Sequence, residues 1–339
     1  IKKTLQYKIT EEDQGKTIEQ FLRSKGYSHR LVVKLRNSPT GLTIGGKLAY
    51  TIHRLQAGEI LTAALEEENS QNIVPVRLPL NIIYEDEDIL VINKDAGVPI
   101  HPSQGHFDHT LANAVAWYYQ SKGQTLVYRA INRLDRDTTG LLVIAKHLLA
   151  GCILSDQMLH RQIHRQYRAI VCGKTEKEGI IDAPIGRAED STVLRRIDFE
   201  NGETARTHYR LLSYDEEKDL SYISLKLDTS RTHQIRVHMG YIGHPLPGDF
   251  LYNPDYRYIS RQPLHSYRLE FIHPLTNNLK GIVNLFFISY IKIYFIVSQT
   301  VKQWLCVDVW FGITIRVVWT GVDYIANLYA YAILCVPAE

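Results

Sequence analysis

Residues 131–147 read INRLDRDTTGLLVIAKH, a loop of turn-forming residues that leads into the apolar run LLVIA. A short apolar run of this kind predicts a buried β-strand. Asp135 lies in the loop between Arg133 and Arg136, and nearby positive charge favours an ionised carboxylate. The pattern indicates either a reactive carboxylate, used as a nucleophile or base, or an Asx turn that leads into the strand.

The composition is that of a globular protein. Of 339 residues, 45% are hydrophobic and 22% are charged, which excludes a mainly disordered or collagen-like chain and predicts about two domains. The absence of a C-x-x-C pair argues against a cysteine zinc site, and the sequence starts without the apolar region of a signal peptide. We therefore expect a cytoplasmic protein. The four cysteines are Cys152, Cys172, Cys306 and Cys335.

Charge divides the first part of the chain. Residues 1–65 contain eleven Lys and Arg against five Asp and Glu, whereas residues 66–88 contain seven acidic residues and one Arg. We expect a basic module at 1–65 and a linker at 66–79. Apolar spacing predicts two short helices in the module, the second capped by Ser28. Its basic residues Arg30, Lys34 and Arg36 indicate either a solvated face or a surface for a polyanion.

From residue 80 onward, many short apolar strands alternate with few helices. Helices are predicted after Thr110 and over residues 148–162, and residues 233–243 (HQIRVHMGYIG) are placed among strands and turns. This pattern predicts an α+β catalytic domain over 80–281, with a mixed, mainly antiparallel sheet and flanking helices.

The last 58 residues, 282–339, differ in character, with six charged and twelve aromatic residues. Residues 282–301 are long enough to span a bilayer, but Lys292 at their centre disfavours a membrane helix. We expect an atypical apolar extension without a membrane span, in which residues 282–287 could supply a closing strand. A frameshift, a gene fusion or a new extension would each account for the abrupt change.

The segment around Asp135 resembles the RluA family of pseudouridine synthases. Residues 133–140 match the family's R-L-D-x-x-T-S/T-G, with Asn132 where His is commonest. The basic module resembles the S4-type RNA-binding fold, and the resemblance as a whole covers about Thr4 to Thr276. Four further segments resemble family motifs in the same order: GVPIHPSQGHFDHTLANAV at 97–115, RQYRAIVCGK at 165–174, SRTHQIRVHMGYIGHPLPGDFLY at 230–252 and LHSYRLEFIHPLT at 264–276.

The resemblance implies an RNA pseudouridine synthase that needs no cofactor and no metal. Asp135 corresponds to the essential aspartate, which attacks C1′ or C6 of the nucleotide or takes the 2′ proton. By the same parallel, Arg133 lies beside the flipped nucleotide, Tyr167 offers an aromatic face to the base, and Arg231 is the guanidinium partner of Asp135. The expected substrate is structured RNA, either ribosomal RNA of the large subunit or transfer RNA, bound by a monomer.

Basic residues around the predicted cleft are expected to contact the RNA backbone. They are Arg161, Arg165, Arg168, Arg195, Arg196 and Arg236.

Two other functions are compatible with parts of the sequence. Clustered histidines (His101, His106, His109) and a pair with helical spacing (His160, His164) suggest a metal hydrolase, but the Glu of an H-E-x-x-H motif is missing. A non-catalytic S4-type RNA-binding protein with a degenerate synthase domain is the other alternative.

Overall fold

The computed structural model describes residues 2–67, 73–103, 105, 107–189 and 191–284, and the backbone of residues 331–335. This part of the chain contains a four-stranded sheet, a ten-stranded sheet and a two-stranded hairpin. Among these residues, no helix has the length and apolar character needed to cross a membrane.

The N-terminal module combines an antiparallel sheet, in the order β1–β4–β2–β3, with two helices. The Ser28 side chain accepts a hydrogen bond from the Leu31 backbone N–H at 3.2 Å, which confirms the predicted helix cap. The elements are β1 (Lys2–Lys8), α1 (Ile18–Ser24), α2 (His29–Arg36), β2 (Leu42–Ile44), β3 (Lys47–Leu48) and β4 (Ile60–Glu66).

The large sheet has the order β5–β6–β7–β14–β8–β13–β12–β9, with β15 beside β14 and β16 beside β15. Within the described residues β7 and β14 pair in parallel and the other neighbours pair antiparallel, which confirms the predicted mixed sheet. Its strands are β5 (Ile82–Glu85), β6 (Ile89–Lys94), β7 (Thr139–Ala145), β8 (His164–Cys172), β9 (Glu178–Asp182), β12 (Arg206–Asp215), β13 (Leu220–Leu227), β14 (Leu264–Ile272), β15 (Leu279–Asn284) and β16 (Tyr331–Cys335). The separate hairpin pairs β10 (Ile185–Arg187) with β11 (Arg195–Ile197).

Three helices belong to this larger part: α3 (Leu111–Ser121), α4 (Leu148–Leu159) and α5 (Gln234–Tyr241). Thr110 caps α3, as predicted. The placement of residues 233–243 among strands and turns was wrong, because residues 234–241 form α5. This helix is buried along most of its length, and its polar side chains Arg236 and His238 are paired with distant residues. Apolar periodicity therefore does not reveal it.

Gly140 allows β7 and β14 to approach each other. Its φ is +115°, and a Cβ at this position would lie 2.3 Å from the Ser266 carbonyl oxygen. A side chain here would be strained and would collide with backbone. The central strand can therefore start directly beside β14 only with glycine at this position.

Helix α4 packs against the N-terminal module. Leu149 belongs to the hydrophobic core of that module, and Cys152 Sγ lies 3.3 Å from Ser28 Oγ. At the other side of the contact, Lys3 Nζ lies 3.0 Å from Asp88 Oδ1. The module is therefore held against the larger sheet by both apolar packing and an ion pair.

Strand β15 crosses the predicted start of the C-terminal extension at residue 282. Ile282 is 1% exposed and pairs with Leu269 of β14, so the first residues of the extension belong to a strand between β14 and β16. The other residues of the extension lie outside the described part, except for the backbone of β16. The linker predicted at 66–79 also contains five residues, 68–72, outside it.

Candidate active site

Asp135 lies in the loop that precedes β7. Its backbone carbonyl accepts a hydrogen bond from the Thr138 N–H at 3.1 Å, which closes a turn immediately before the strand. Its side chain bonds instead to Arg236, a residue distant in sequence. The local backbone therefore forms the turn, and the carboxylate takes part in a long-range contact.

Buried amide side chains fix both ends of this loop. Asn132 donates to the Leu141 carbonyl at 3.2 Å and accepts from the Val143 N–H at 2.9 Å. Gln262 Nε2 donates to Thr138 Oγ1 at 2.9 Å. Asn132, which departs from the family pattern, thus ties the loop to β7 through both atoms of its amide.

The buried Lys94 side chain bonds to the loop that carries Asp135. The sequence did not indicate this contact. Its Nζ donates to the backbone carbonyls of Arg136 at 2.7 Å, Asp95 at 2.7 Å and Val98 at 2.9 Å. Burial lowers the pKa of Lys94 to about 7, while the charges of Asp137 and other nearby carboxylates act to raise it. The buried Lys94 side chain thus links the loop of residues 95–98 to the loop that carries Asp135.

The partner of Asp135 is Arg236, on α5. Its Nη1 lies 3.0 Å from Asp135 Oδ2, while its Nε and Nη2 bind both carboxylate oxygens of Asp249 at 2.6 and 2.7 Å. The side chains of Arg236 and Asp249 are 2% and 1% exposed, whereas that of Asp135 is 28% exposed. Asp249 thus anchors the arginine, and Asp135 stays accessible from solvent.

The prediction that Arg231 pairs with Asp135 was wrong. Arg231 forms an ion pair with Glu203 and donates from Nε to the Thr204 carbonyl at 3.1 Å. Arg231 precedes α5, whereas Arg236 lies within it, so the start of the helix at Gln234 decides which guanidinium reaches the carboxylate. Arg236 was predicted to contact the RNA backbone. This prediction was wrong, because Arg236 is buried and pairs with Asp135.

Aromatic rings enclose the Arg236 guanidinium. Its Cζ lies 4.9 Å from the centre of the Tyr252 ring and 5.8 Å from that of Phe250. Burial alone would lower the pKa of Arg236, but the hydrogen bonds to Asp249 and the charge of Asp135 outweigh it and raise that pKa. The arginine therefore stays charged beside Asp135.

Tyr167 lies on β8 within the same apolar cluster as Leu134 and Ile235. These two residues directly precede Asp135 and Arg236 in the sequence, so the cluster positions both members of the pair. Tyr167 is 4% exposed. The predicted tyrosine is therefore a buried member of the core that also contains the neighbours of Asp135 and Arg236.

Arg133 is exposed at the start of the same loop, and its charge lowers the pKa of His101, although burial of that histidine contributes more. His101 packs edge-on against Tyr128, with ring centres 5.2 Å apart. The charge of Arg133 is therefore felt at His101.

The predicted RNA-backbone contacts occupy different environments. Arg30, Lys34 and Arg36 are exposed on α2. Arg165 was expected among the surface contacts, but it is 9% exposed and donates to Ser230 Oγ at 3.3 Å. It shares a strand face with Tyr167 and Ala169, both buried, because alternate residues of a strand point to the same side. The remaining cleft residues Arg161 and Arg196 are exposed, Arg195 is half-buried, and Arg168 stacks on Tyr267 at 4.0 Å.

One group of side chains in the described residues has the spacing of metal ligands: Asp86, Asp88 and His273. His273 Nε2 lies 2.9 Å from Asp86, and Asp88 also binds Lys3. The Lys146 N–H donates to the Asp88 carbonyl at 2.9 Å, which places this group at the end of β7 opposite Asp135. The histidines that suggested a hydrolase are not part of it, and His106 lies outside the described residues.

Comparisons with known proteins place the chain among RNA pseudouridine synthases. A family model described as RNA pseudouridylate synthase matches residues 88–241. An uncharacterized RNA pseudouridine synthase of Bacillus subtilis, YjbO, is 40% identical over 262 residues, covering 77% of this chain and 92% of the relative. Ribosomal large subunit pseudouridine synthase D of Nitrosomonas europaea is 42% identical over 243 residues, covering 69% and 70%.

Solved structures give the same result. Human RNA pseudouridylate synthase domain containing 1 aligns with a TM-score of 0.52 and 27% identity, over 60% of this chain and 82% of that protein. A second human structure, domain containing 4, has a TM-score of 0.50 at 22% identity and supports the fold alone. From the match to curated relatives over most of their length, this chain belongs to the RNA pseudouridine synthase family.

Proposed function

We propose that this pseudouridine synthase isomerises uridines in structured RNA of the large ribosomal subunit, with Asp135 as the reacting group. The observation that carries the proposal is the ion pair between Asp135 and Arg236, because it places a half-exposed carboxylate beside a buried, permanently charged guanidinium. The names of several relatives, ribosomal large subunit pseudouridine synthase D, support the choice of RNA.

The reaction breaks the C1′–N1 bond of uridine and forms a C1′–C5 bond, and the proton on C5 is lost while N1 gains one. It consumes no oxidant or reductant. Asp135 serves this chemistry by attack on C1′ or C6, or by removal of the 2′ proton, since each route needs one ionised carboxylate in contact with the nucleotide. Arg236 holds the orientation of that carboxylate through the ion pair.

The target nucleotide has to leave its helix to reach Asp135, at a cost of a few kcal/mol for unstacking. Arg133 is exposed at the mouth of the loop and is suited to hold the flipped nucleotide or its phosphate. Tyr167 gives the base an aromatic wall, and stacking of this kind contributes about 1–3 kcal/mol per base.

The N-terminal module is proposed to bind RNA through Arg30, Lys34 and Arg36. Arg30 and Lys34 are one helical turn apart and exposed, so their charges share a face of α2. The packing of α4 on this module fixes that face relative to the catalytic sheet. We also propose that the enzyme acts as a monomer in the cytoplasm.

Pseudouridine mapping tests the proposal. The purified protein is incubated with transcribed large-subunit ribosomal RNA and, separately, with transfer RNA, and the positions of pseudouridine are mapped chemically. Discrete sites in the ribosomal RNA are expected with the wild type and none with Asp135→Asn. Modification of transfer RNA alone would contradict the proposed substrate. RNA binding without any pseudouridine would support the alternative, a non-catalytic RNA-binding protein.

A further inference from the structure

The hairpin formed by β10 and β11 meets the surroundings of Arg236 in two ways: Ile185 and Ile197 pack with Val237 of α5, and the backbone of β11 bonds to the Tyr252 side chain. The Arg195 backbone N–H, on β11, donates to Tyr252 Oη at 3.0 Å. The hairpin also carries Arg187 and Arg196, and the Arg187 and Arg195 positions face each other across it. Residues 185–198 contain three arginines and three acidic residues, so the hairpin carries no net charge. Its exposed Arg187 and Arg196, the latter paired with Glu189, are the groups that can contact a phosphate backbone.

Tyr252 also contacts the start of α5. Its Oη lies 2.8 Å from His233 Nδ1, and the two rings meet edge-on with centres 5.6 Å apart. A hydroxyl that accepts from Arg195 retains its own proton, which it can donate to the neutral imidazole. Burial lowers the pKa of His233, which favours that neutral form.

His233 directly precedes α5 and has a left-handed backbone, with φ of +57°. A non-glycine residue in this region stores strain, and the surrounding contacts have to hold it. Arg236 follows three residues later, and its guanidinium lies under the Tyr252 ring at 4.9 Å. Tyr252 therefore touches the arginine that binds Asp135 and also the residue that sets the start of the helix.

We propose that Tyr252 is a positioning residue that links the β10–β11 hairpin to the Arg236–Asp135 pair, so that RNA held by the hairpin helps to orient the carboxylate. This inference rests on the proposed function, because it assumes that Asp135 reacts with the nucleotide. The hydroxyl joins the hairpin to α5, and the ring supports the guanidinium. A small displacement of a reacting group can cost up to about 100-fold in rate.

Tyr252→Phe tests the hydroxyl, since it removes the bonds to Arg195 and His233 and keeps the ring over Arg236. At saturating RNA, and at a temperature where the variant is shown to be folded, we expect kcat to fall about tenfold. Tyr214→Phe is the matched control, because its hydroxyl bonds only to Asp219 in a surface turn among the contacts described. A kcat of Tyr252→Phe within about twofold of the wild type would overturn the inference.

A double-mutant cycle with Arg196→Gln separates coupling from a merely structural role. If the hairpin acts through Tyr252, Arg196→Gln lowers kcat in the wild type but has less effect on kcat in the Tyr252→Phe background, which gives a non-zero coupling. Additive effects would overturn the inference even if each variant were impaired. Failure of Asp135→Asn to lose activity would instead overturn the proposed function, so the two failures are distinguishable.

Discussion

Arg236 Nη1 lies 3.0 Å from Asp135 Oδ2, although 101 residues separate the two in the chain. The same guanidinium binds both carboxylate oxygens of Asp249, which is almost fully buried. A buried arginine bound to two carboxylates has little freedom to move, so it holds the Asp135 carboxylate in a fixed orientation.

Arg236→Gln should impair both stability and catalysis. It leaves Asp249 buried without its charge partner, and removal of one member of a buried pair costs about 3–5 kcal/mol of unfolding free energy. The activity of the remaining folded enzyme should also fall, because Asp135 loses its guanidinium. Urea denaturation and single-turnover isomerisation measure the two effects.

Arg231→Gln is the matched control for that experiment. Its ion pair with Glu203 is largely exposed, and such pairs contribute about 0–1 kcal/mol. Its effect on the chemical step should therefore be much smaller than that of Arg236→Gln. Equal losses of isomerisation rate in Arg231→Gln and Arg236→Gln would contradict the assignment of Arg236, rather than Arg231, as the partner of Asp135.

Gly140→Ala should strongly destabilise the larger sheet. The added Cβ would lie 2.3 Å from the Ser266 carbonyl oxygen, and the φ of +115° is strained for alanine. Gly243→Ala is the control, because Gly243 has a φ of +84° but no atom within 4 Å of a new Cβ. We expect a loss of about 1 kcal/mol for the control and clearly more for Gly140→Ala in thermal or urea unfolding. Similar losses would show that β7 can move away from β14.

His265 should make the protein less stable as the pH falls. Burial, with a smaller effect of Arg261, lowers the pKa of His265 from 6.5 to about 3. Between these values the unfolded chain binds a proton that the folded chain does not, so this contribution to stability is complete above pH 6.5 and is lost as the pH falls towards 3. The slope is at most about 1.4 kcal/mol per pH unit.

The variant His265→Gln lacks this titration. Its unfolding free energy should fall less steeply than that of the wild type in urea titrations at pH 7, 6, 5 and 4. Carboxylates titrate in both proteins, so the difference between the two curves isolates the histidine. Parallel curves would contradict the low pKa of His265.

Replacement of Arg30, Lys34 and Arg36 by Gln should weaken RNA binding and its dependence on salt. Each phosphate contact contributes about 0.7–0.9 to the slope of log K against log salt, so three lost contacts reduce the slope by about 2–3. Lys16→Gln is the control, because Lys16 already pairs with Asp13 at 2.6 Å. A slope unchanged by the triple variant would show that α2 does not contact RNA.

The sequence predicts the local elements of this fold well, because their signals are local. Ser28 and Thr110 cap the helices expected of them, and the apolar run before Lys146 is the central strand β7. Helix α5 was not predicted, because its buried polar residues Arg236 and His238 interrupt the apolar pattern. Both form hydrogen bonds with residues outside the helix. Asp249, the main partner of Arg236, lies in the loop that follows α5, 13 residues further along the chain.

The sequence singles out Asp135 as a candidate, but it does not reveal the side chains that hold this carboxylate in the structure. Asp135 is marked by its motif, whereas the choice between Arg231 and Arg236 depends on where α5 begins. The burial of Arg165 could have been inferred from its alternation with Tyr167 on β8. The three carbonyls that bind Lys94 come from two separate loops, and only the assembled fold brings them together.

The most direct test of Asp135 as the reacting group compares Asp135→Asn with the wild type in single-turnover isomerisation, together with RNA affinity and melting temperature. Asp108→Asn, which changes an exposed carboxylate, is the control. The account predicts no detectable pseudouridine from Asp135→Asn, with RNA binding and folding retained, and wild-type turnover from the control. Substantial isomerisation by correctly folded Asp135→Asn would contradict it.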